Sequence, residues 1–171
     1  CMTAYFAHPT ALVESQNIGK DTRIWAFAHI MEGAIVGERC NIGDHCFIES
    51  GVRIGDNVTI KNNTAIWQGI TIDSHAFIGP HVVFTNDLRP RSPRLSLVVE
   101  KYRNTKHWMQ YTHIHEGASI GANATILCNL TIGEYAMIGA GTLIAQNVPA
   151  YSLFYGTPGC FKGYVCLCGE A

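Results

Sequence analysis

The residues best suited to chemistry in this 171-residue chain fall in three stretches. Asn86 follows Phe84 and Thr85. Its side-chain oxygen can accept a hydrogen bond from an attacking amine and aim the amine's lone pair, a positioning role that needs no strong base. One repeat step of 18 residues below it fall Gln68 and its neighbour Trp67, so the three can share one pocket wall. His81, just after Gly79 and Pro80, offers an imidazole that can take a proton, and it stands in line with Asn63 and His45. An ordinary polar residue in an outward column fits His81 equally well. Arg91, Tyr102 and Arg103 lie in a basic stretch. There, an arginine's planar fork can pair two phosphate oxygens at once and a tyrosine ring can stack on a nucleobase. Gly121-Ala122 and Gly139-Ala140-Gly141 form a third set, whose small side chains either serve the turns alone or leave a shallow track where a ligand reaches the backbone.

A repeat must position these groups. Every sixth residue from Phe6 through Leu12, Ile18, Ile24 and onward to Phe84 is apolar, and the register resumes from Ile114 to Ile144. Four residues after each lies a small or β-branched side chain, among them Ala34, Cys40, Val52 and Thr64. A period of six matches neither a helix nor a plain alternating strand, while the richness in β-branched residues favours strands. Three such units per turn make a triangular coil, and Gly33, Gly51 and Gly69 recur at the 18-residue spacing expected of its corners. The expected fold is all-β, a single-domain parallel β-helix. It comprises a first repeat block over 6–84, an inserted loop over 85–113, a second block over 114–147 and a C-terminal cap over 148–171. The loop carries Pro90 and Pro93 with six basic residues, and so long an insertion is commonly functional.

Composition narrows the partners. A formal charge of −1 provides no basic field for nucleic acid or an anionic membrane, and no apolar run is long enough to span a bilayer. A cytoplasmic protein is expected, with Met2 as the natural start after Cys1. Cys40 and Cys46 fall on inward positions as small hydrophobes, whereas Cys166 and Cys168 remain free for chemistry and supply half a tetrahedral zinc site. His113 and His115 share the outward side of one strand, but no third ligand follows from the register, and no metal is expected. Trp25, Phe47, Trp67 and Phe77 at outward positions predict a cyclic homotrimer.

The hexads, the loop and the ending Asn147-Val-Pro-Ala-Tyr-Ser-Leu-Phe-Tyr-Gly-Thr-Pro-Gly together resemble hexapeptide-repeat acyltransferases. More specific are Phe84-Thr85-Asn86-Asp87, Pro90-Arg91-Ser92, Tyr102-Arg103-Asn104-Thr105 and Gly117-Ala-Ser-Ile-Gly-Ala-Asn-Ala-Thr-Ile126. These are similar to bacterial N-acetyltransferases of nucleotide-linked 3-amino sugars, dTDP- or UDP-linked. The resemblance implies left-handed coiling, a homotrimer with active sites at subunit boundaries, and a product destined for surface glycans. It implies acetyl-CoA along the C-terminal coils, at Ala122, Gly139, Ala140, Gly141, Gly156 and Pro158, and it implies that Asn86 contacts the amine being acetylated. Arg91, Ser92, Tyr102 and Arg103 fall on the substrate side. The family usually places alanine and a basic residue after the proline, where this chain has Gly159-Cys160, so Lys162 is the candidate to supply that charge. Two other readings stay open: an O-acetyltransferase on serine or a sugar hydroxyl, which would favour His81 as base, and a zinc enzyme resembling a carbonic anhydrase. A purely structural β-helix would show a regular outward face and no loop.

Overall fold

In the computed structural model, which describes residues 5–170, the chain winds as a three-sided, left-handed parallel β-helix. Cys1 and Met2 lie outside the described residues. Apart from the last two strands, each face is built from strands of two or three residues, separated by tight corners. Residues 18 apart pair in parallel, as in Ile42↔Ile60↔Ile78 and Ile54↔Ile72. One face is a nine-stranded sheet and a second is six-stranded. The third divides into four- and three-stranded sheets between Ala65–Ile66 and Val83–Phe84, next to the departure of the loop.

The isoleucine column is the core: Ile24, Ile30, Ile42, Ile48, Ile60 and Ile66 are fully buried, with Ala34, Cys46, Val52 and Val58 filling the second inward position. Strands two residues long hold together because each inward side chain packs against its copies in the coils above and below. The corners demand left-handed backbone, and their residues show it: φ is +81° at Gly33 and Gly51, and between +57° and +62° at His45, Asn63 and His81. Glycine takes that conformation without cost, and asparagine tolerates it.

The first coil departs from the expected register. Phe6 and Leu12 are 46% and 53% exposed, and the residues that align with Ile24 and Ile30 are Ala7 and Val13. Ile18 nevertheless aligns with Val36, so the segment from Val13 to Ile18 is one residue short. Both members of each pair, Phe6-Ala7 and Leu12-Val13, are apolar, so apolarity alone selects the wrong one.

The coil resumes with the strand Thr112–Ile114, two residues before the expected start of the second block. The loop between contains a short helix, Val99–Tyr102, flanked by single 3-10 turns. At the C-terminus, Phe154 enters the inward column above Ile138, and the antiparallel strand Cys160–Tyr164 folds over Ser152–Tyr155 to finish the nine-stranded sheet. Cys166 and Cys168 are joined in a disulfide and are not free thiols, which removes them as zinc ligands.

Candidate active site

Asn86 stands where the chain leaves the coil. Its Nδ2 donates to the Gln68 carbonyl (3.2 Å), and its own carbonyl accepts from the Gln110 amide (2.9 Å). With Nδ2 committed, Oδ1 remains as the acceptor for an incoming N–H. Trp67 donates its Nε1–H to the Phe84 carbonyl (3.0 Å), and Gln68 is held by the Glu49 carboxylate, which accepts from its backbone N–H (2.7 Å). The wall expected of Asn86, Gln68 and Trp67 is therefore assembled along one edge.

The loop is fastened beside this edge by a residue the sequence reading did not single out. Asp87 accepts from Lys101 Nζ (2.8 Å) and Tyr102 OH (2.8 Å) through Oδ2, and from the Arg89 amide through Oδ1 (2.9 Å). Burial pushes the Asp87 carboxyl upward, but the hydrogen bonds from Lys101, Arg89 and Tyr102 prevail and hold it below the usual carboxylate value. A cleft of about 490 Å³ opens here, lined by Asp87, Leu88, Arg89, Lys101, His107, Trp108 and Gln110.

The loop residues expected to grip phosphate are placed differently. Tyr102 spends its hydroxyl on Asp87 and sets its ring against Trp108 (5.7 Å). Arg103 pairs with Glu100 on the outer surface (2.6 Å). Arg91 and Ser92 are exposed, with the Arg91 amide donating to Tyr102 OH (2.8 Å) and Ser92 Oγ accepting from the Arg94 amide (3.3 Å). None of these four lines the cleft, whereas Arg89, Lys101 and His107 do.

The glycine-alanine set gathers on a different edge, the corner between the nine-stranded sheet and the strands Val83–Phe84, Thr125–Ile126 and Leu143–Ile144. Lower on this edge each corner amide is capped by a side chain of the next coil, Ala26 N–H by Asp44 Oδ1 (3.2 Å) and Asp44 N–H by Asn62 Oδ1 (3.1 Å). Above Asn62 the capping position holds Pro80, then Ala122 and Ala140, none with a side-chain acceptor. Among the described residues, no protein acceptor meets the Ala122 or Ala140 amide. A Cβ at Gly121 would come within 2.5 Å of the Ala140 nitrogen, so only glycine lets the coils approach here. Gly141 donates to the Ala122 carbonyl (2.8 Å) and accepts from Thr157 Oγ1 (3.4 Å). Leu143 N–H donates to the Gly156 carbonyl (3.1 Å), while the Leu143 carbonyl accepts from Gly159 (2.7 Å), which brings the Gly156–Gly159 turn, with Pro158, onto the same edge. Gly139 donates to the Phe154 carbonyl (2.8 Å), and Lys162 Nζ sits 5.0 Å from the Tyr155 ring centre. The result is a groove with unclaimed amide donors and a lysine nearby, suited to an extended amide-bearing, phosphate-bearing ligand.

His81 belongs to this second edge. It is exposed, lies 3.4 Å from Asn63 Nδ2, and follows Pro80, whose carbonyl accepts from the Asn123 amide one coil above. Asn86 lies at the other end of the strand Val83–Phe84, so the two candidate catalytic residues occupy different corners of the prism.

The model of the bacterial transferase hexapeptide repeat (six repeats) matches residues 17–50, 51–86 and 111–146. The dTDP-3-amino-3,6-dideoxy-alpha-D-galactopyranose 3-N-acetyltransferase of Aneurinibacillus thermoaerophilus is 50% identical over 163 residues, covering 95% of this chain and 80% of that protein. A hexapeptide-repeat acetyltransferase from Vibrio cholerae, solved with acetyl-CoA, superposes with a TM-score of 0.61 at 26% identity, over 78% of this chain and 72% of that one. The Caulobacter crescentus protein PerB, solved with CoA and GDP-perosamine, shares the fold at a TM-score of 0.55 and 17% identity, over 94% of this chain and 58% of that one.

Proposed function

Because the chain belongs to the bacterial hexapeptide transferases, we propose that it is an acetyl-CoA-dependent N-acetyltransferase acting on the amino group of a dTDP- or UDP-linked 3-amino sugar. The observation that carries this reading is the 50% identity across 95% of the chain to an enzyme of that activity. Two features of the structure support it: an amide carbonyl held free at Asn86, and a groove with unclaimed backbone donors at Ala122 and Ala140.

When bound, acetyl-CoA supplies an activated acetyl thioester. The corner amides of Ala122 and Ala140 hold the coenzyme's amide-bearing arm, Gly139 and Gly141 keep the groove shallow, and the Gly156–Pro158 turn with Lys162 closes its end. Asn86 accepts a hydrogen bond from the substrate amine and directs its lone pair, with the Gln68 carbonyl fixing its side-chain amide, the Gln110 amide its backbone carbonyl, and Trp67 the Phe84 carbonyl two residues before it. An amine on an electron-withdrawing sugar ring sheds its proton more readily than lysine's ~10.4, so positioning carries much of the acceleration. The basic loop holds the diphosphate, with Arg89 reaching from within the cleft and Arg91 and Arg103 from the exposed surface outside it. Glu100 does not remove Arg103 from this set, since exposed ion pairs are weak.

The two half-sites lie on different corners, and a second subunit would bring one chain's acceptor edge beside its neighbour's coenzyme groove. That supports a homotrimer with active sites at its boundaries, as do Phe77 and Val83, 40% and 51% exposed on either side of the His81 corner. No helix among the described residues is long and apolar enough to cross a membrane, and we place the enzyme in the cytoplasm, feeding surface-glycan assembly such as O-antigen. CoA release against a panel of dTDP- and UDP-linked amino sugars tests the reading. Turnover is expected with at least one nucleotide-linked 3-amino sugar and little with the free sugar; equal efficiency on both refutes the loop's diphosphate role.

A second reading, acetylation of a hydroxyl, draws on the position of His81 at the foot of the coenzyme groove. A hydroxyl needs a base where an amine does not. His81→Gln separates the two, since it abolishes O-acetylation and spares N-acetylation.

A further inference from the structure

Across the inserted loop, three side chains converge that neither half-site uses. His113, in the strand Thr112–Ile114, and His115, just after it, lie on one side, with ring centres 3.9 Å apart and planes 23° from parallel. Directly beneath, Asp73 pairs with this strand through its amide, which donates to the Ile114 carbonyl (2.8 Å). Its Oδ2 lies 2.8 Å from His113 Nε2 and 3.4 Å from His115 Nδ1. The three ligand-capable atoms all fall within 4.8 Å of one another.

We propose that Asp73, His113 and His115 form a binding site for a divalent transition-metal ion of the zinc class, which ties together the coils on either side of the loop. Two imidazole nitrogens and one carboxylate oxygen are a borderline donor set that suits zinc, cobalt or nickel and disfavours magnesium and calcium. Metal–ligand bonds of about 2.0–2.1 Å place tetrahedral ligand atoms about 3.3 Å apart, close to the 3.4 Å already present between His115 and Asp73. The side chains are 36–41% exposed, so the ion can enter and water can complete its shell. Neighbouring clefts hold Arg53, His75 and Glu116; Glu116 is already paired with His75 (3.1 Å), and Arg53 opposes a cation without sharing a ligand atom with it. Asp73 precedes the loop and His113 follows it, 40 residues on, so a bound ion closes the long excursion at its root. The site is independent of the acetyl-transfer reading.

The test titrates the full chain, stripped with EDTA, dialysed and kept oxidised so that Cys166 and Cys168 remain paired, with Zn²⁺ and separately with Mg²⁺. One Zn²⁺ per chain is expected and no Mg²⁺. Co²⁺ should give a d–d spectrum of low coordination number. The melting temperature should rise by about 5–10 °C when free Zn²⁺ exceeds Kd about 100-fold. Asp73→Asn and His115→Ala should each weaken binding at least roughly tenfold (about 1.4 kcal/mol), whereas His75→Ala should leave it unchanged. Circular dichroism of the metal-free variants checks that they fold. Absence of stoichiometric Zn²⁺ binding, or binding unchanged in Asp73→Asn and His115→Ala folded proteins, overturns the proposal.

Discussion

Asn86 is committed on one side and open on the other: Nδ2 and the backbone carbonyl are engaged, and Oδ1 is left as an acceptor for the proposed amine. Asn86→Ala should therefore lower kcat by roughly 10- to 100-fold with little change in the coenzyme KM, because what is lost is orientation at the reacting atom. Steady-state kinetics with both substrates varied check this, and a pure rise in coenzyme KM would contradict it. Asp87 makes a different prediction. A carboxylate held below its ordinary value contributes stability that is complete above the unfolded value of about 3.9 and lost as pH falls through the folded one. Protection of loop amides 89–107 against hydrogen exchange, corrected for intrinsic rates, should stay flat from about pH 5 to 8 and collapse only below about pH 4. Loop opening between pH 5 and 7 would show that some other group fastens it. Asn86, Gln68 and Trp67 were legible as a set because Asn86 stands at the very start of the loop, where the 18-residue step from Gln68 still holds. Asp73 was not, since the loop breaks the 18-residue arithmetic that would have set it beside His113 and His115.

At the scale of the element, the column of inward isoleucines was readable because period and burial coincide on every interior coil. Ile54→Ala removes a mid-stack side chain whose neighbours, Val36 below and Ile72 above, cannot close the gap. It should cost about 2–5 kcal/mol, measured by chemical denaturation. The first coil misleads, because Phe6 and Leu12 are apolar yet outward. The same insertion hides a second relationship: Asn123 stacks above His81 only once the loop is subtracted, and this joins His81 to the Ala122–Ala140 edge and parts it from Asn86. The corner amides of Ala122 and Ala140 stay unclaimed because the residues one coil above them, Ala140 and Gly156, have no side-chain acceptor to offer. Ala140→Trp should fill that groove and raise the acetyl-CoA KM by roughly tenfold or more, with a much smaller change for the sugar. Equal effects on both substrates would instead indicate general distortion.

For the whole molecule, the left-handed β-helix acts as a ruler that places the Asn86 edge and the Ala122–Ala140 edge, the proposed acceptor and coenzyme half-sites, at fixed heights on different corners. A single chain leaves them apart, so a shared site requires neighbouring subunits. Sedimentation at micromolar concentration should show a trimer, and a stable monomer that retains full activity would rule out shared sites. Amine and hydroxyl acceptors are separated by supplying acetyl-CoA with a dTDP-linked 3-amino-3,6-dideoxyhexose and, separately, with its 3-hydroxy counterpart, and locating the transferred acetyl group by mass spectrometry and NMR. One acetyl group is expected, bonded to the 3-nitrogen of the amino sugar, and no product from the hydroxyl sugar. Acetyl transfer to oxygen, or turnover of both sugars at comparable rates, would contradict N-acetyl transfer as the activity.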